Sequence, residues 1–134
     1  MQISTAGLLV IKDRRLLLAF SKPKQCYYLP GGKVNEGETF KDALCREIEE
    51  ELNVTLQPSE LIYYAHISAP AFGEPEGVII EQECFLVKRP IDPQPSAEVG
   101  SVAYFTFASY SQEERQAIGT IEILKRLQSD GLID

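Results

Sequence analysis

The chain has 134 residues, 44% hydrophobic and 25% charged, with 13 basic against 20 acidic side chains and a formal net charge of −7. That is a globular composition, and one domain over residues 1–134 is long enough to bury roughly 68% of the surface its unfolded chain exposes. No apolar run reaches the roughly 20 residues that a bilayer crossing needs, no basic stretch precedes the short apolar segment near Met1, and no Lys/Arg cluster follows a nucleic-acid backbone.

No membrane span, secretory leader or duplex nucleic acid partner is expected, and a cytoplasmic address is. A small phosphorylated ligand stays open, because a divalent cation can bridge an acidic pocket to an acidic substrate. Cys26, Cys45 and Cys84 form no C-x-x-C pair, and their odd number fits reduced thiols rather than zinc or disulfide frameworks.

In chain order, residues 4–12 and 15–20 read as a hairpin around Asp13-Arg14, a turn without glycine. Residues 26–29 are extended ahead of Pro30, and Gly31-Gly32 opens a loop. The helix of residues 39–52 has Thr39 as N-cap and stops at Asn53, an acceptable left-handed cap where glycine should also be tolerated without loss. Residues 60–68 and 78–88 are strands around the turn-rich loop 69–77, residues 90–96 are a proline-rich connector, and residues 99–107 are another strand. A last helix is expected from Ser111, with Glu114 completing a capping box and Ile118, Ile121, Leu124 and Leu127 as its apolar stripe. The order β, β, β, α, β, β, β, α predicts a mixed sheet packed between helices.

The first helix carries the chemistry. Glu47, Glu50 and Glu51 fall within about 100° of one another around an ideal helix, beside the apolar ridge of Leu44, Ile48 and Leu52. Like charges at these spacings repel, and a divalent cation relieves the repulsion; hard oxygen donors select Mg²⁺ or Mn²⁺, ions that keep sites open for water and phosphate oxygens. Lys33, directly after the glycines, can meet a phosphate as a point charge. A Glu run is by itself a solvated helix face. The full pattern of eight positions, from Gly32 through Glu38, Arg46 and the three glutamates to Val54, has a chance expectation on the order of 10⁻⁶ in a chain of this composition.

That pattern, Gly32-x5-Glu38-x7-Arg46-Glu47-Ile48-x-Glu50-Glu51-x-Asn53-Val54, resembles the Nudix box, departing from it only where Asn53 replaces the final glycine. The resemblance implies an α/β/α sandwich around a mixed β-sheet and a hydrolase that cleaves a pyrophosphate bond next to a nucleoside. It puts Glu47, Glu50 and Glu51, with Gly32, at the metal site. Glu50, Glu51 and Arg46 then belong to the catalytic set, and Glu38 either supports the loop or joins the metal.

A carboxylate already bonded to cations is a poor base, so a further acid is expected to take the proton from water: Glu98, at the end of the proline-rich connector, ahead of Glu81 and Glu83. Lys22 and Lys24 flank Pro23 and suit phosphate contacts, Lys22 with Gly32, Lys33 and Tyr28 making the expected substrate set. Tyr27 and Tyr28 alternate and cannot face the same side, and His66 reads as structural. Because the first strand begins close to Met1, a small nucleoside triphosphate substrate of the MutT-like kind is expected, giving a nucleoside monophosphate and pyrophosphate. A nucleoside diphosphate linked to another moiety, such as ADP-ribose or a nucleotide sugar, and a non-catalytic nucleotide-sensing module are the alternatives. Monomer and homodimer both stay open.

Overall fold

The computed structural model describes residues 1–134. Strands β1 (Gln2–Leu9), β2 (Ile11–Lys12) and β3 (Arg15–Ser21) open the chain, followed by β4 (Cys26–Tyr28), β5 (Gly31–Lys33) and helix α1 (Phe40–Leu52). Strands β6 (Leu61–Pro70), β7 (Ile79–Val87) and β8 (Val99–Phe105) then lead to the four-residue helix α2 (Phe107–Tyr110) and to α3 (Ile118–Ser129). One sheet has the order β5-β1-β7-β6, with β1 and β7 parallel and the other neighbours antiparallel; a second joins β2, β3 and β4, with β8 on β3.

Helices cover both sides. Leu44, Ile48 and Leu52 of α1 pack with Ala6, Leu8, Leu17 and Phe85 in one core. Ile123, Leu124 and Leu127 of α3 pack with Leu9, Leu16, Leu18 and Ile67 in the other. The expected mixed sheet between helices is therefore present. No helix is long and apolar enough to cross a membrane.

Several boundaries differ from expectation for physical reasons. The turn at Asp13-Arg14 has φ of 51° and 60°, the primed geometry that glycine normally supplies. Arg14 holds it without glycine by donating to the carbonyls of Gly131 (3.0 Å) and Ile133 (3.3 Å) and by pairing with Asp134. Gly31-Gly32 is not loop but the start of β5, paired antiparallel with Ala6 and Gly7 of β1.

The last helix begins at Ile118, not Ser111. Thr106 and Ser109 form their own capping box and start α2, whose end Ser111 caps instead. Ala117 is the N-cap of α3 and supplies no side-chain cap; its own amide donates to the buried Tyr110 hydroxyl at 3.0 Å. Of the expected stripe, Leu124 and Leu127 are buried while Ile118 is exposed; Ile123 takes its place in the core.

Candidate active site

The site is assembled where β5 runs into α1. A Cβ on Gly31 would stand 2.0 Å from the Ala6 carbonyl oxygen, and its φ of +139° suits only glycine, so β5 can lie against β1 at this point only without a side chain. At Gly32 a Cβ would stand 2.5 Å from the Glu47 Cδ; the missing side chain is the space that the Glu47 carboxylate occupies. Thr39 starts α1 by accepting from the Asp42 amide (3.1 Å), as its sequence predicts.

Arg46 is the fastener between loop and helix. Its Nε and Nη2 donate to the two oxygens of Glu38 (2.8 and 2.9 Å), Nη1 to Glu47 Oε1 (2.8 Å), and Nη2 also to the Lys33 carbonyl (3.1 Å). Glu38 accepts in addition from the Asn35 amide at 2.8 Å. The Arg46 fork and the Asn35 amide hold the Glu38 carboxyl down at about 2, and Glu38 with Glu47 pushes Arg46 above the usual guanidinium range. Both Glu38 and Arg46 are thus occupied in aiming Glu47, and neither lines the cavity.

Glu47 is mostly buried, its side chain 18% exposed, whereas Glu50, expected at the metal, is 56% exposed, lies 3.7 Å from Arg46 Nη1 and does not line the cavity. Glu51 reaches inward and accepts from the Gly31 amide at 3.2 Å. Burial raises its pKa far above the ordinary carboxylate range, and the charges of Glu47 and Glu98 add to the rise against the Gly31 hydrogen bond. No three His, Cys, Asp or Glu side chains are drawn to one point at metal-ligand spacing, because Glu50 faces outward.

The proline-rich connector does more than span a gap. It satisfies the free carbonyls at the end of α1: the Ser96 amide donates to Glu51 O (2.9 Å), its hydroxyl to Glu50 O (2.6 Å), and the Gln94 amide to Leu52 O (2.8 Å). Asn53, left-handed as expected (φ 56°), donates from Nδ2 to the Gln94 carbonyl at 2.7 Å. Two residues beyond Ser96, Glu98 enters the cavity wall, its carbonyl accepting from the Lys22 amide at 2.9 Å.

The cavity measures about 510 Å³. Of the residues singled out from sequence, Gly32, Lys33, Tyr28, Glu47, Glu51 and Glu98 line it together. Lys22 does not: its stem lies over Gly100, and of the two lysines flanking Pro23 it is Lys24, 3.8 Å from Glu74, that joins Lys33 in the wall. Ile80 and Gln82 line the floor, so Glu81 and Glu83 occupy the other face of β7, where His66 pairs with both. Tyr27 turns away from Tyr28 and packs edge-on against Phe20 and Phe105. Thr5, Phe72 and Gln82 are wall residues that sequence reasoning did not find; only the alternation on β7 offered a signal for Gln82.

The donor set fits a hard divalent cation. Glu47 and Glu51 are adjacent oxygen donors in a low-dielectric wall, and the absence of a side chain at Gly32 leaves the cradle open to them.

The fold is thus a sheet flanked by helices, with an acidic wall built from a glycine strand and one helix. The NUDIX domain family model matches residues 1–127, and the chain belongs to that family, and with it to the pyrophosphohydrolases. Nudix hydrolases generally need divalent metals and act on small nucleotide substrates. Among solved structures, the chain is similar to a MutT NUDIX hydrolase from Burkholderia pseudomallei, with 22% identity and a TM-score of 0.77 over 95% of this chain and 98% of that one. It is similar also to a C. elegans Ap4A hydrolase in a binary complex, at 20% identity and a TM-score of 0.70 over 96% of each chain. A third is a bifunctional NMN adenylyltransferase/ADP ribose pyrophosphatase from Francisella tularensis, complexed with AMP and a Mn ion: 21% identity, TM-score 0.69, 97% of this chain and 42% of that one. At these identities the likeness is one of fold. A comparison with curated proteins finds no match.

Proposed function

We propose that the protein is a nucleoside triphosphate pyrophosphohydrolase dependent on Mg²⁺ or Mn²⁺, yielding a nucleoside monophosphate and pyrophosphate. The observation that carries the reading is the mixed lining of its cavity: Glu47 and Glu98 lie close enough to Glu51 for their charges to raise its pKa, and Ile67, Ile80, Phe72 and Gln82 line the same cavity. A cavity of about 510 Å³ is of ordinary size for a small-molecule site, and a lining that joins carboxylates and lysines to apolar side chains suits a ligand that combines a polyphosphate with a flat base.

In this reading Glu47 and Glu51, joined by a rotation of the exposed Glu50 and with Gly32 at the edge, hold the cation. The chemistry a divalent cation supplies there is neutralisation of phosphate oxygens and acidification of a water. Glu98 accepts the proton as the water oxygen bonds to phosphorus and the bridging P–O bond breaks, the electron pair leaving on pyrophosphate; no covalent enzyme intermediate forms. Lys33 and Lys24 meet the phosphates, and Arg46 keeps Glu47 aimed.

The deciding experiment is a panel of nucleoside triphosphates, ADP-ribose, nucleotide sugars and dinucleoside polyphosphates, incubated with Mg²⁺ and with Mn²⁺ and resolved by product. Monophosphate and pyrophosphate from triphosphates are expected. Cleavage confined to diphosphate-linked substrates would replace the triphosphate reading with the diphosphate one, and no turnover of any member would make the protein a binding module. For the base, Glu98→Gln is expected to lower kcat about 10² to 10⁴-fold with metal affinity unchanged. If Glu51→Gln does this and Glu98→Gln does not, the acceptor is on the helix.

A further inference from the structure

The floor of the cavity carries two polar side chains that the hydrolytic chemistry does not use. Thr5 on β1 and Gln82 on β7 are directly paired across the parallel strands, and both line the cavity. Thr5 is 6% exposed, and its hydroxyl oxygen is buried with no hydrogen-bond partner in the protein. A buried hydroxyl left unpaired is destabilising, so a natural floor of this kind points to a partner that arrives with the ligand.

Beside it, the Gln82 carboxamide lies over Gly7, where a Cβ would stand 3.1 Å from the Gln82 Cδ and Nε2 and 3.0 Å from Leu29 Cδ1. Glycine at position 7 thus leaves the amide room to lie flat against the sheet. Ile80 and Ile67 in the wall, with Phe72 from the β6–β7 loop, supply apolar surface around it.

We infer that Gln82, backed by Thr5, reads the hydrogen-bonding edge of a nucleobase, and so determines which nucleotides this site accepts. The inference rests on the proposed nucleotide-hydrolase reading. A carboxamide offers one donor face and one acceptor face side by side, which matches a base edge that presents a ring-nitrogen acceptor next to an exocyclic amino group; Gln and Asn pair with adenine in this way. Thr5, the residue paired with Gln82 across the strands, keeps its hydroxyl free for a group that the ligand brings. Ligand chemistry of this class is a purine or pyrimidine with an adjacent donor and acceptor, held between apolar walls. Because the amide can present itself either way round, it separates bases with such an edge from flat groups without one more strongly than it separates one natural base from another.

Two measurements on the full chain test this. The first follows the Gln82 side-chain NH₂ resonances by ¹⁵N-edited NMR during titration with nucleoside monophosphates and, separately, with ribose 5-phosphate. The inference expects the resonances to move with the nucleoside monophosphates and not with ribose 5-phosphate. The second compares Kd values for the same ligands in wild type, Gln82→Leu and Gln82→Met, with thermal melts to confirm that each variant is folded. Both variants are expected to lose about 10-fold or more in affinity for the preferred monophosphate, a range typical of one buried hydrogen-bonded pair, while their affinities for ribose 5-phosphate agree with wild type. An unmoved Gln82 resonance, an unchanged affinity of both variants for the nucleoside monophosphates, or an equal loss toward ribose 5-phosphate would each overturn the inference. Since these are binding measurements, they stand apart from the hydrolytic reading: nucleoside monophosphates bound through Gln82 without any triphosphate turnover would retire the proposed reaction and keep the base reader.

Discussion

Asn53 closes α1 in two ways at once. Its backbone accepts the left-handed geometry that ends the helix, and its side chain ties the helix to the connector through the Gln94 carbonyl. Only the first of these could be anticipated from sequence, which is why glycine looks harmless there until the hydrogen bond is seen. Asn53→Gly relieves a small backbone cost but removes the tie, and a net loss of about 0.5 to 1 kcal/mol is expected in urea denaturation. Gly32 makes the complementary case. Gly32→Ala places a methyl group where the Glu47 carboxylate now sits, and the expected result is a folded protein by circular dichroism with a large loss of metal affinity and kcat.

The carboxylates also set opposed pH responses in chelator. Glu38, lowered to about 2 by Arg46 and the Asn35 amide, stabilises the fold above the ordinary glutamate pKa and loses that contribution as pH falls toward 2. Glu51 is raised instead, so the folded protein keeps a proton that the unfolded chain releases, and stability falls as pH climbs from the glutamate range toward neutrality. Melting temperature in EDTA is therefore expected to peak on the acid side of neutral, with Glu51→Gln flattening the descent and Arg46→Met shrinking the acid limb. A curve in chelator that rises steadily to pH 8 would contradict the buried placement of Glu51.

Among the elements, α1 was the most readable from sequence, since its N-cap, apolar ridge and acidic positions are all local. Strand β5 and the partners of the last α1 carbonyls were not, because each is made by a distant segment: β5 by β1, and the carbonyls by Gln94 and Ser96, although Asn53 as the left-handed stop was legible. The same holds for the start of α3, where the amide of the N-cap Ala117 is answered by the Tyr110 hydroxyl. Lys22 and Lys24 could not be ranked without the fold, for only the turn between β3 and β4 decides which one reaches the cavity. Ser96→Ala is expected to cost about 1 kcal/mol by removing the hydroxyl bond to Glu50 O. It should also reduce kcat with little change in KM, because the strap that sets Glu98 is loosened. Equal effects on kcat of Ser96→Ala and of a remote change such as Ser129→Ala would argue that the connector does not set Glu98.

For the molecule as a whole, the acidic wall stands beside two hydrophobic cores that do not depend on it. Removal of divalent cations is accordingly expected to abolish turnover while far-ultraviolet circular dichroism is retained, and Mg²⁺ is expected to raise the melting temperature in step with its occupancy. Unfolding on addition of EDTA would mean that the cation belongs to the fold and not only to the reaction.

The parallel alignment of β1 with β7 has a consequence for how the chain acquires its shape. Gln2 sits opposite Ile79 and Leu9 opposite Leu86, so the most central strand pairing of the larger sheet joins segments more than half the chain apart. During synthesis the opening strand emerges long before its partner exists, and its apolar residues Leu8 and Leu9 must wait in an unfinished nascent chain. Loop closure on that scale places the entropic cost of folding ahead of its reward, which is the condition for slow folding and for exposure of sticky intermediates. Refolding in stopped-flow mixing should then be sensitive to changes at the β1–β7 seam, while a truncation that ends before Ile79 should leave β1 open to pairing with other chains and drive the protein into aggregates.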